Sequence, residues 1–153
     1  MGTMARRMLL SCSVLSFGIL ATRDGRAQSG VWLVTGQEAA LPPSASSKAG
    51  RAISRGPAIR QVSPAAAVAP NQPFALKVEF AGRGGEKINP ASAQVMVLRG
   101  SDVNITQRLK PYITANGIEI PNAMVPAGTH VLQVAISDAG GRQSTANIEI
   151  EAR

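Results

Sequence analysis

The chain has 153 residues, 16 lysines and arginines against 9 acids, a net charge of +7, few aromatics, one cysteine and one histidine. That length holds one domain with segments to spare. A single cysteine excludes an intrachain disulfide, and a single histidine excludes any metal site built on several imidazoles.

The first 27 residues read as a secretory signal peptide. Arg6 and Arg7 form a basic start, residues 8–20 form an apolar run, and Gly25 and Ala27 are the small residues ahead of a cut. Thirteen residues are too few to span a bilayer comfortably, so no membrane span is expected after the leader is removed. The arginine pair followed by Met8, Leu9 and Leu10 resembles a twin-arginine export signal. Cys12 sits near the start of the apolar run, not after it, which argues against a lipoprotein box. Cleavage removes Cys12, four arginines and one aspartate, leaving a thiol-free chain of net charge +4. Its remaining positive charge is scattered, which argues against a nucleic-acid partner.

Residues 28–57 read as a flexible linker. Residues 41–50 are mostly proline, serine, alanine and glycine, with too little apolar side chain to offset chain entropy. Within this zone Val31, Trp32, Leu33 and Val34 form an apolar island. It reads either as the tail of the export segment or a short strand lying on the domain, or as a tethered strand that adds to an exposed sheet edge.

The domain is expected over residues 58–153. Residues 58–63 read as an edge strand stopped by Pro64. Phe74, Leu76, Val78 and Phe80 alternate with Ala75, Lys77 and Glu79, the pattern of a strand with one buried face. Residues 93–99 carry apolar side chains on both faces and read as a central strand or one with a partly covered outer face. Residues 102–106 form a short strand, 107–113 a helical turn or bent edge, and 117–120 a strand ending at Pro121. Residues 129–137 and 144–152 pair as a hairpin around Asp138 and the two glycines that follow. About seven short strands separated by Gly, Pro and Asn turns predict an all-β, two-sheet sandwich.

Residues 126–142 begin with a Pro-x-Gly turn, continue into an alternating strand and end in Asp138-x-x-Gly141. This resembles the penultimate strand and last turn of bacterial immunoglobulin-like, cadherin-like or fibronectin type III-like modules. Residues 59–64 resemble their opening. The resemblance implies an immunoglobulin-like sandwich serving as an extracytoplasmic binding or spacer module in the periplasm or envelope.

No catalytic set is legible. There is no Gly-x-Ser-x-Gly turn for a nucleophile, and the glycines after Gly82 lack the helix and lysine of a phosphate cradle. No cofactor is expected. The leading reading is a non-enzymatic exported protein whose partner is another envelope or periplasmic protein. Arg108, Lys110 and Tyr112, close together in the least regular stretch, are its candidate partner surface. The alternative is a periplasmic metal- or ligand-binding protein. His130 with Met96 and Met124 would suit copper, and Asp102, Asn104 and Asp138 would suit calcium. Against these stand ordinary roles: a half-buried histidine at a strand end, methionines filling the core, and Asx side chains capping turns.

Overall fold

A computed structural model describes residues 30–44 and 55–153. The leader, and residues 28–29 and 45–54 of the expected linker, lie outside the described residues. The described chain forms nine strands: β1 (Val31–Trp32), β2 (Ala58–Ser63), β3 (Phe74–Ala81), β4 (Ile88–Val97), β5 (Val103–Asn104), β6 (Ile113–Thr114), β7 (Gly117–Met124), β8 (Gly128–Asp138) and β9 (Gln143–Ala152). Two one-turn helices, α1 (Gly36–Ala39) and α2 (Thr106–Leu109), complete the elements used below. One sheet has the order β1-β7-β3-β2, with β6 also on β7. The other has the order β5-β4-β8-β9. This is the two-sheet, all-β sandwich that the alternation predicts.

The core follows the strand parity. Leu76, Val78 and Phe80 from β3 meet Val95 and Val97 from β4, Leu132, Val134 and Ile136 from β8, and Ile148 and Ile150 from β9. Phe74, at the start of the run, is only partly buried. The outward residues of the first sheet pair by charge: Lys77 stands opposite Glu119, and Arg60 opposite Glu79. Such pairs keep that face wetted and add a few tenths of a kcal/mol each, on the order of 0.2–1 kcal/mol.

Two boundaries differ most from the sequence reading. β7 does not stop at Pro121 but runs to Met124. Its register against β3 slips between Leu76 and Phe74, so the proline falls in a bulge where a missing N–H breaks no ladder bond. β4 starts earlier, at Ile88, and bulges between Asn89 and Gln94. The Ser92 hydroxyl fills that bulge by accepting from Ser137 N at 2.9 Å and donating to Asn89 O at 2.7 Å. β7 opens on Gly117, at φ +150°, where any Cβ would collide with the Val78 carbonyl.

The largest correction concerns the linker. Residues 30–44 belong to the sandwich. β1 pairs in parallel with β7, Val31 opposite Ala123 and Trp32 opposite Met124. Leu33 and Val34 are completely buried in the common core. Of the readings of this island, the tethered strand seated on an edge of its own chain is the one the pairing matches. Further on, Gly100 N donates to Pro42 O at 2.6 Å, and Pro43 bridges to Arg99. The segment therefore straps one side of the sandwich, from an edge of the first sheet to the end of β4 in the second. Two large apolar side chains were enough to anchor a stretch whose later composition is linker-like.

Candidate functional site

β2 and β9 approach each other at one side of the sandwich, which places β1, β6 and β5 at the other. The second side is closed, and Arg108 at the end of α2 is its clasp. Its Nη1 donates to the carbonyls of Trp32 (3.1 Å) and Leu33 (3.2 Å), and its Nη2 donates to Glu38 Oε1 at 3.0 Å. Glu38 in turn accepts from Thr35 N at 2.7 Å, while the Thr35 hydroxyl accepts from Glu38 N. This is a capping box over α1. Burial would raise the Glu38 carboxyl, but the bonds and charge of Arg108 and the bonds of Thr35 bring it below its ordinary value.

Of the candidate partner surface, Arg108 bonds the strap through its guanidinium while its side chain stays 34 % exposed. Tyr112 is half-buried and packs against the core. Lys110 and Arg108 are both exposed. The signal that finds the clasp is Thr35-x-x-Glu38 just after an apolar pair, a helix-start signature that the sequence reading did not use.

His130 is buried to 1 % exposure, deeper than a half-buried strand end. Arg99 Nη2 lies 2.9 Å from His130 Nδ1, and His130 Nε2 lies 2.9 Å from the Pro126 carbonyl. A guanidinium only donates and a carbonyl only accepts. The neutral ring therefore carries its proton on Nε2 and accepts on Nδ1. Burial lowers its pKa; the Pro126 bond opposes this, and the Arg99 charge adds to it. No lone pair is left for a metal in this state. Met96 stands opposite Gln133 on β4, and Met124 stands opposite Trp32 on β7, in the other sheet.

The proposed calcium ligands are also dispersed. Asn104 pairs with Met96, which stands opposite Gln133, five positions from Asp138 along β8, or about 17 Å. Asn104 Oδ1 accepts from Thr106 N at 2.9 Å, the Asx-turn role. Asp138 accepts from Arg142 N and Arg142 Nε, both at 2.9 Å. Burial would raise its carboxyl, but the backbone and side-chain bonds and the charge of Arg142, with a bond from Gly140 N, hold it below the usual range. Among the described residues no three His, Cys, Asp or Glu side chains group as a metal site. No helix among them is long and apolar enough to cross a membrane.

The β2/β9 side is open. β2 ends the first sheet and β9 ends the second. Between them lies a cleft of about 420 Å³ lined by Val62, the alanines that follow Pro64, Glu149 and Glu151. Val62 is 41 % exposed, one of two large apolar side chains among the described residues left in water. The other is Trp32, on the strap.

No family model matches the chain, and no curated protein matches it. Among solved structures it is similar to CopC from Methylosinus trichosporium OB3b, at 16 % identity and a TM-score of 0.40. The alignment covers 62 % of this chain and 93 % of that one. At that distance nothing about a site transfers.

Proposed function

We propose that this chain is a non-enzymatic exported module with an immunoglobulin-like sandwich, and that it binds another periplasmic or envelope protein through its β2/β9 side. The observation that carries the reading is the unequal closure of the two sides. One edge of the first sheet is sealed by β1, Leu33, Val34 and the Arg108 clasp. The other ends in β2, beyond which no described strand pairs. Phe80 donates its N–H to Asn116 O, on the β7 side of β3. Its partner Ile59 therefore turns its own N–H and C=O away from β3, out of the sheet. An uncovered edge of this kind is a template for an incoming extended segment. The leader-like residues 1–27 support export, and the residues able to do chemistry, His130 and Asp138, have their polar atoms occupied within the fold.

The test is affinity capture from the native envelope with the mature chain and with Val62→Asp. Val62 is exposed, so the variant should keep the wild-type melting temperature. Loss of a specifically captured protein on that substitution supports the reading. Equal capture by both forms overturns it.

A further inference from the structure

The outer edge of β9 is half occupied by the chain itself. Val68 N donates to Glu151 O at 2.9 Å, and Arg153 N donates to Val68 O at 3.1 Å. Residues 151 and 153 thus point their backbone groups out of the sheet. Strand alternation puts residues 145, 147 and 149 in the same direction. The β8 side agrees: the Val131 carbonyl accepts from Leu98 N, just past β4, so its partner Glu149 faces away from β8. At the far end Gly56 packs on Gln143 and Ser144. Between these two pinned ends, Thr145, Asn147 and Glu149 present a ladder that no described strand continues.

We infer that this gap receives an extended segment of another protein in which apolar and basic residues alternate. The inference rests on the reading above and names the chemistry of its partner. A strand seated here points alternate side chains inward and outward. Inward, they meet Val62 and the small alanines of the cleft. Outward, they lie beside Glu149 and Glu151, the charged groups that line it. Glu151 already holds Arg153 at 3.4 Å, whereas Glu149 makes no ion pair among the described residues. A second copy of this chain adding β9 to β9 would bring together two strands that each carry two glutamates and no lysine or arginine, and so would offer Glu149 no basic partner.

The probes are two ten-residue peptides, alternating valine with lysine or valine with glutamate, titrated into the mature chain by fluorescence anisotropy. The lysine peptide should bind and the glutamate peptide should not. Glu149→Lys should weaken binding at least tenfold. Asn147→Pro should do the same, because it removes an outward N–H while leaving the β8 ladder intact. Both variants should melt like the wild type. Equal binding of the two peptides, or lysine-peptide binding unaffected by either substitution, overturns the inference. So does a dimer by light scattering that Asn147→Pro dissolves, because the edge is then filled by a second copy. If Glu149→Lys keeps the captured envelope protein that Val62→Asp loses, the binding module stands and only the basic partner falls.

Discussion

Leu33→Ala separates a strapped sandwich from a domain that starts at residue 58. Leu33 is 0 % exposed and sits in the core cluster with Ile105, Leu109 and Ile120. Truncating a buried leucine removes its transfer energy and leaves a cavity, a cost of about 2–5 kcal/mol. Domains of this size hold on the order of 5–15 kcal/mol in total. At roughly 4 °C per kcal/mol, the melting temperature should fall by about 8–20 °C. The exposed neighbour Gln37→Ala should leave it unchanged. The assay has a built-in reporter, because the chain's one tryptophan is Trp32, on the strap. Its emission and the far-UV circular dichroism should report one coincident urea transition. A Leu33→Ala protein melting within about 2 °C of wild type, or a tryptophan transition well ahead of the dichroism, would show that the strap is not part of the cooperative unit.

Two further outcomes follow from the clasp and the buried histidine. Arg108→Ala removes the bonds to two carbonyls and to Glu38, and should cost about 1–2 kcal/mol; Arg108→Lys should recover only part of this, since one ammonium cannot span all three acceptors. Limited proteolysis should cut the Arg108→Ala chain faster within residues 30–44, and an unchanged cutting pattern would refute the clasp. His130 is held neutral, with its folded pKa below the unfolded value near 6.5. The unfolded chain therefore binds the proton first, so stability is full above that pH and falls as pH drops through it. His130→Gln should abolish that step and leave a second loss below about pH 4.5, where Glu38 and Asp138, both lowered on folding, begin to take up protons. A wild type equally stable at pH 7 and pH 5 would refute the neutral assignment.

What the sequence disclosed was local and periodic. β2 occupies residues 58–63 because Pro64 ends it, and the β8–β9 hairpin follows from ten residues of strict alternation on either side of a glycine turn. Those signals act within one strand or between neighbours. The strap failed the same test because β1 is two residues long, too short to show a period, and because the prolines and serines after Leu41 dominate its composition. Arg108 is a similar case. Its residue type and setting fit an interface anchor, but its acceptor Glu38 lies 70 positions away, and only the fold brings the two together. The parity of His130 with Leu132 and Val134 was legible. Its full burial was not, since that depends on Arg99 and Pro126 closing over both nitrogens.

The open side makes two demands on Glu149 that charge can satisfy together. A bare strand edge invites pairing with other copies of the same chain, and natural sheets blunt such edges with charge or proline. Glutamates on the outer face of β9 find no basic partner on the same strand of a second copy. They also leave the backbone ladder free, which a proline or a covering segment would not. The first sheet handles its two edges differently: the strap covers β7, and β2 ends at Pro64. β9 keeps three alternate outward-facing positions, Thr145, Asn147 and Glu149, with a glutamate to guard them. Protection of that kind is selective, because it favours a basic strand over an acidic or identical one. An edge defended purely for solubility would lose nothing if Glu149 were replaced by lysine, whereas an edge that recognises a basic segment would lose its partner.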